Sequence, residues 1–293
     1  MEKRWIIKQS IDSTLVETFR SEIKVNSMVS ELLLQRGINT YEQAERFFRP
    51  KLEDLHDPFL MKNMPAAVDR LDQALKNGEL IMLYGDYDVD GTSAVALMYS
   101  YLSKRHDRVE FYIPDRYAEG YGLSKTGIDY ALAQKVDLMI LLDCGIKSVD
   151  LVDYGKSNGL DFIICDHHEP GDVVPNTIVL DAKQQDCNDP YKELCGCGVG
   201  FKLLQGLIQK NDWILADLYE LLDFVAVAIG ADIVPVTGEN RILAQHGVRL
   251  MNENTRPSFK RLLQLAKRSF PVTLTDVVFT IAPRINSAGR LYS

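Results

Sequence analysis

No apolar run in this 293-residue chain approaches the ~18–20 residues of a membrane-spanning helix, so no such helix is expected. The opening MEKRWIIKQS has neither an apolar signal core nor a small-residue cleavage site, so no secretory signal is expected. Cysteines number only five, an odd count without a regular framework. That argues against a disulfide scaffold and fits a reducing, cytoplasmic setting. Positive charge is also short: 33 Lys and Arg stand against 41 Asp and Glu, a net charge of −8. This argues against a general nucleic-acid coat, but not against an enzyme holding a strand in a local basic groove beside an acidic metal site. No Gly-x-Gly-x-x-Gly follows the first predicted strand, which removes a dinucleotide-binding reading. Internal repeats and low-complexity tracts are missing too. What remains is 46% hydrophobic and 25% charged, enough for one large domain or two small ones with a real core.

The most informative stretch is LIMLYGDYDVDGTS at 80–93. An apolar run from Leu80 to Tyr84 meets Asp86, Asp88 and Asp90, then Gly91 and an apolar helical pattern over Ala94–Leu102. The pattern predicts buried strand, acidic loop and helix start. Open α/β sheets hold ligands at the carboxyl ends of their strands. Three alternating aspartates there put hard oxygen donors close together, which suits a divalent cation. An aspartate helix cap is the alternative.

Residues 1–78 read as mostly helical, with apolar spacing over Ser30–Arg36 and Thr40–Phe48, a stop at Gly37, and a helix over Ala66–Lys76 ended by Asn77-Gly78. From residue 79 strands and helices alternate. Strands are predicted at Glu79–Asp86, Arg108–Pro114, Asp137–Asp143, Asp161–Asp166 and Thr177–Asp181. Helices are predicted between them at Thr92–Lys104, Ser124–Lys135 and Ser148–Asn158. Continuous apolar strands separated by helices predict a parallel sheet covered on both faces. Four strands end in charge: the three acids of the first loop, Asp115-Arg116, Asp143 before Gly145, and Asp166-His167-His168. Their convergence on one sheet edge is a stronger signal than any single motif.

Beyond residue 190 the chain turns helical. Cys195-x-Cys197 has no second ligand pair, so a tightly packed helix start is the simpler reading than zinc. An apolar helix over Trp213–Ile229 runs into Asp232, an acid in apolar surroundings that needs a metal or an arginine as partner. Residues 239–266 read as helical, and APRINSAGRL at Ala282–Leu291 sets Arg284 and Arg290 around Asn286 and Ser287, a pattern suited to phosphate. Arg116 lies in DRYAEGYGLS, where Gly122 allows close backbone approach and Tyr121 offers a ring or a hydroxyl. If Asp86, Asp88, Asp90, Asp143, His167, His168 and Asp232 meet, mixed carboxylate and imidazole donors without thiolate suit Mn²⁺ or Mg²⁺. The acids suffice for two ions, with Asp143 as the candidate bridge, and the chemistry is attack of hydroxide on phosphorus. His168 is then placed to bond a phosphate oxygen or assist proton transfer.

YGDYDVDGTS, LLDCG, Asp166-His167-His168, AIGADIVPV and APRINSAGRL, in this order, resemble the DHH phosphoesterase family and, within it, the bacterial RecJ exonucleases. RYAEGYGLS, LCGCGVGFKL and the LLLQRGINTYEQAERFF…LHDPFLMKNM segment look RecJ-like as well, so the resemblance runs from about residue 25 to residue 291. It implies a 5′→3′ exonuclease that degrades single-stranded DNA processively to mononucleotides with Mn²⁺ or Mg²⁺, in recombination and repair. By motif, Asp88, Asp90, Asp143, His167, His168 and Asp232 match the metal and catalytic set, with Asp86 the first acid of the same loop. Arg116 and Arg284 match arginines at the DNA end, and Tyr121, Gly122, His168 and Asn286 join them as candidate substrate contacts. Single-stranded DNA with a 5′ end is the implied partner, with a single-strand-binding protein and a helicase as accessory ones.

The expected architecture is an α/β fold with a mostly parallel five-stranded sheet covered by helices, flanked by helical extensions. Its expected segments are 1–78, a helical N-terminal part; 79–235, the DHH-type catalytic domain; and 236–293, a helical part leading to a second domain. RecJ-like proteins continue into that domain, and this chain reads as their catalytic-core portion. The alternatives are a DHH enzyme on a smaller substrate (a nanoRNase, a cyclic-dinucleotide phosphodiesterase or a pyrophosphatase) and an inactive scaffold.

Overall fold

The computed structural model describes residue 6 and residues 8–291, with side chains through residue 288. The chain divides into two compact units, Met1–Asp54 and Leu55–Ser293. The first holds α1 (Ser13–Ile23), α2 (Ser27–Leu34) and α3 (Tyr41–Phe48). Asp12, Asn26 and Thr40 cap the three helices with side-chain oxygens, and Phe19, Leu33 and Ala44 form their small core. Gly37, the predicted stop, takes φ +76°.

The second unit begins with α4 (Met64–Asn77), which Gly78 ends in the left-handed conformation. It lies against structure that comes later in the chain. Then follow β1 (Ile81–Gly85), α5 (Val89–Leu102), β2 (Val109–Tyr112), α6 (Lys125–Gln134), β3 (Leu138–Leu142), α7 (Val149–Ser157), β4 (Asp161–Cys165) and β5 (Ile178–Leu180). The helical remainder is α8 (Gly196–Lys210), α9 (Ala216–Tyr219), α10 (Leu222–Asp232), α11 (Gly238–Glu253), α12 (Pro257–Leu265), α13 (Leu274–Asp276), a π turn at Val277–Ile281 and α14 (Ala282–Leu291).

The five strands form one parallel sheet in the order β2-β1-β3-β4-β5. Every residue of β1 and β3 is buried, as expected for strands covered on both faces. Alternation sorts the side chains. Met82, Tyr84, Met139, Leu141, Phe162 and Ile164 pack with Ile128 of α6 and Val152 of α7. The opposite face carries α5 and α8, and α10 packs on α5. β1 lies between β2 and β3, so the chain reverses its direction of winding at β1. The switch point therefore falls between the carboxyl ends of β1 and β3, where an open α/β sheet has its crevice.

Two predicted helices are divided. The Trp213–Ile229 segment breaks between α9 and α10, where Arg256 donates to the Glu220 carbonyl at 2.6 Å and pairs with Asp223 at 2.6 Å. A guanidinium from a distant segment thus satisfies the backbone that continued helix would have used. Residues 239–266 break before Pro257, whose ring and missing N–H suit only a helix start.

Candidate metal centre

Aspartate directly follows β1, β3, β4 and β5, at Asp86, Asp143, Asp166 and Asp181. The backbone N–H groups of Asp86, Asp143 and Asp166 continue the ladder, bonding the carbonyls of Leu142, Cys165 and Leu180 at 3.4, 2.9 and 3.0 Å. Strand pairing itself therefore aligns the acids along the sheet edge. Asp143 turns there at φ +62°, a conformation that Asp and Asn tolerate best among residues with a side chain.

α10 brings a further acid from the far side. His167 Nε2 lies 3.1 Å from Asp143 Oδ1, 3.6 Å from Asp232 Oδ2 and 3.8 Å from Asp90 Oδ2. Asp143 Oδ1 and His167 Nε2 are buried and lack a hydrogen-bond partner. Asp90, His167 and Asp232 offer donor atoms within 4.8 Å of one another, as do Asp143, His167 and His168. Asp90 is held rigidly, since the N–H groups of Gly196 and Cys197 at the start of α8 donate to its Oδ2 at 2.7 Å and its Oδ1 at 2.8 Å. That start can come so close because residue 196 lacks a side chain: a Cβ there would lie 2.6 Å from Asp143 Oδ1.

The electrostatics follow from burial. Desolvation and the neighbouring acids raise the carboxyls of Asp90 and Asp143. Burial, then Asp88, pushes Asp232 up to about 6. Burial pushes His167 down to about 4, leaving at neutral pH the uncharged imidazole that ligates metals. Among the described residues no lysine or arginine pairs with Asp88, Asp90, Asp143 or Asp232. Converging carboxylates, a neutral imidazole and unpartnered buried donors fit a hard divalent cation.

Asp88 takes the helix-cap role that the sequence offered as the alternative, beside the cluster. It caps α5 by accepting from Gly91 N–H at 3.0 Å, and its charge still acts on Asp86, Asp90, Asp143 and Asp232. Asp86 stands behind the cluster. Its Oδ1 accepts from Gly122 N–H at 3.0 Å, its Oδ2 is buried without a partner, and burial pushes it up to about 6. Tyr84 completes this tie by donating to the Gly122 carbonyl at 2.9 Å.

The loop so fixed carries Tyr121, whose hydroxyl meets His168 Nε2 at 3.1 Å. On its other nitrogen, Nδ1, His168 lies 2.7 Å from Asp166 Oδ1. Asp166 accepts in addition from the N–H groups of Ile146, His167 and His168. Contact with Asp166 raises His168, and the hydrogen bond from His168 helps to hold Asp166 low against burial. The pair therefore stabilises the fold above the unfolded pKa of aspartate and below that of histidine. Its contribution is lost as pH falls through the folded Asp166 value or rises through the folded His168 value. Asp166→Asn is expected to lower the His168 pKa, measured by NMR titration, and to cost about 1–3 kcal/mol at pH 6. An unmoved His168 titration would contradict this coupling.

Arg116 stacks on Tyr87 with its guanidinium 5.0 Å from the ring centre, and Tyr87 meets Tyr121 edge-on. Arg284 turns back along its own helix and donates to the Thr280 carbonyl at 2.7 Å, so the structure does not bring it to the acids. Asn286 lines the same cavity as Asp88, Asp90 and Asp232, while the Arg290 side chain lies outside the described residues. Cys195 and Cys197 are fully buried, and burial raises both thiols, consistent with a packed helix start. A second convergence, His56, Asp189 and Glu239, already holds a cation: buried Lys202 donates to Glu239 at 2.9 Å. Sequence reasoning missed Tyr84, Tyr87, Gly196 and Asp166 as positioning groups. Only Asp166 carried a visible signal, as the first member of its triplet.

The DHH family N-terminal domain matches residues 80–229, just over half of the chain. The chain belongs to the DHH family. Among characterised members it is 39% identical over 290 residues to the single-stranded-DNA-specific exonuclease RecJ of Bacillus subtilis, covering 98% of this chain and 36% of that protein. RecJ of Thermus thermophilus, solved with Mn²⁺, superposes with a TM-score of 0.82 at 26% identity, over 98% of this chain and 41% of that one. A second RecJ structure bound to manganese gives a TM-score of 0.73 at 31% identity, over 82% and 60%. This DHH chain thus spans between about a third and three fifths of the RecJ proteins it matches. The likeness bears out the DHH reading and the parallel, helix-covered sheet.

Proposed function

We propose that this chain carries the catalytic core of a metal-dependent 5′→3′ exonuclease that releases mononucleotides from single-stranded DNA in recombination and repair. The observation that carries the reading is the convergence of Asp90, Asp143, His167 and Asp232, with unpartnered buried donor atoms, at the switch point of the sheet. The single-stranded-DNA-specific exonuclease activity of the RecJ relatives, and the manganese bound in their structures, support it.

In this reading Asp88, Asp90, Asp143, His167 and Asp232 would hold Mn²⁺ or Mg²⁺, with Asp143 available to both should two ions bind, and Asp86 supports the set from behind. Bound there, such ions would activate water for attack and offset charge on the phosphoryl group. The protein's own groups do the rest. Asp166 fixes the ring of His168 through Nδ1, and Nε2, once a phosphate oxygen displaces the Tyr121 hydroxyl from it, bonds that oxygen or moves a proton to or from it. Arg116, on its Tyr87 platform, meets the terminal phosphate, with Arg284 available on rotation away from Thr280. The catalytic domain occupies 79–235, between helical segments at 1–78 and 236–293. Cytoplasmic location, and work beside a single-strand-binding protein and a helicase, belong to the same proposal. No helix is long and apolar enough among the described residues to cross a membrane.

The test is incubation with 5′-labelled single-stranded DNA, with Mn²⁺ or with a chelator, beside the matching duplex. Labelled mononucleotide released from the single strand only, and only with metal, is the expected result. Release from dinucleotides or pyrophosphate but not from long strands would replace this reading with that of a small-substrate DHH enzyme.

A further inference from the structure

A cavity of about 380 Å³ opens beside the metal-centre acids, within the size range of small-molecule sites. Its lining joins two chemistries: the acids Asp88, Asp90 and Asp232, and the apolar Ile233, Phe279 and Pro283, with Asn286 among them. Among the described residues no lysine or arginine lines it.

Two residues there are displayed at an energetic disadvantage. Ile233 is 80% exposed and held at φ +60°, where a β-branched side chain is strained. Phe279 is 74% exposed, although Val277 and Ile281 of the same π turn are fully buried. The π turn thus turns Phe279 away from the core, and the residue lines the cavity. Apolar surface kept in water directly beside a phosphoryl-transfer centre calls for a ligand with a flat apolar part next to a phosphate.

We propose that this wall seats the base of the terminal nucleotide, with Phe279 as its stacking face and Ile233 as the opposite edge, while the phosphate lies over the acids. The inference rests on the exonuclease reading and deepens it. Stacking on an aromatic ring tolerates every base, which suits an enzyme that removes nucleotides without regard to sequence. Asn286 offers a donor and an acceptor to the base edge or the sugar.

The test is a cycle that removes each partner in turn. Single-stranded DNA with an intact 5′-terminal base is compared with the same strand made abasic at that nucleotide, using wild type, Phe279→Ala and Phe279→Trp. Wild type is expected to lose roughly tenfold in kcat/KM on the abasic end, Phe279→Ala roughly tenfold on the intact end and little more on the abasic one, and Phe279→Trp little on either. A strand abasic at its 3′ end is expected to behave as intact. A terminal 2-aminopurine should be quenched by wild type and less by Phe279→Ala, a readout independent of turnover. Losses that multiply, or equal wild-type rates on both ends, would overturn the base seat while leaving the exonuclease standing. Absence of any release by wild type would instead remove the exonuclease reading, and the base seat with it.

Discussion

Asp143→Asn is expected to lower metal-dependent strand hydrolysis by a thousandfold or more, roughly 4 kcal/mol of transition-state stabilisation, while making the metal-free protein more stable. The two effects share one cause. Asp143 is buried beside His167 and faces Asp90 and Asp232, so its charge is unfavourable until a cation answers it. Asparagine keeps the shape, and it tolerates the φ of +62° that alanine would not. It removes the charge and one metal oxygen of full basicity.

The sign with pH follows from linkage. A carboxyl raised in the folded state holds its proton longer there than in the unfolded chain. Stability is therefore greatest below the unfolded pKa and declines as pH rises toward the folded values. Melting curves in chelator should fall between about pH 4 and pH 8 for wild type and fall less for the variant. Adding Mn²⁺ at pH 8 should raise the wild-type Tm far more than that of the variant. Hydrolysis retained by Asp143→Asn would sink its assignment as a metal ligand.

Gly196→Ala is expected to be nearly as damaging, although position 196 carries no chemistry. The new Cβ would lie 2.6 Å from Asp143 Oδ1 and 2.8 Å from Asp143 Cα. Backbone cannot yield as a flexible side chain can, so the start of α8 must move away. Overpacking of this kind costs about 1–3 kcal/mol. The same movement draws the Gly196 and Cys197 N–H groups from Asp90, which then loses the two bonds that hold its charge in place. We expect a fall in Tm of several degrees together with a loss of roughly a hundredfold or more in activity. Gly200→Ala is the control, because its Cβ would meet only side chains, at 3.4 Å or more, inside the same helix. It should be neutral or slightly stabilising. Equal behaviour of the two variants would show that the close approach at residue 196 does not matter.

The contrast between Asp143 and Gly196 marks how far local pattern reaches. The strands at 81–85, 138–142 and 161–165 were readable because each is an apolar run, in the last case from residue 162, followed at once by aspartate. A parallel sheet aligns such ends by its own hydrogen bonds, so Asp86, Asp143 and the Asp166-His167-His168 triplet were bound to share one edge. Asp232 was legible for a different reason, as a charge in apolar surroundings that had to find a partner.

Groups that act through backbone or through distant contacts left no local trace. The N–H groups that clamp Asp90 come from a helix start 106 positions along the chain. Tyr121 reaches His168 across 47 positions only because Tyr84 and Asp86 tie down the glycine beside it. Arg284 sat in a phosphate-like motif, yet its helix gives it a carbonyl one turn back, and the guanidinium takes that bond. The apolar segment at 213–229 breaks because Arg256, from far along the chain, claims its backbone. Residue order alone was enough for the strands and for the acids and histidines at their ends that could serve a metal, since periodicity and residue type are local properties. Tertiary structure alone decided which donors meet, which are clamped and which turn away, because those outcomes depend on distances between segments that the chain brings together only on folding.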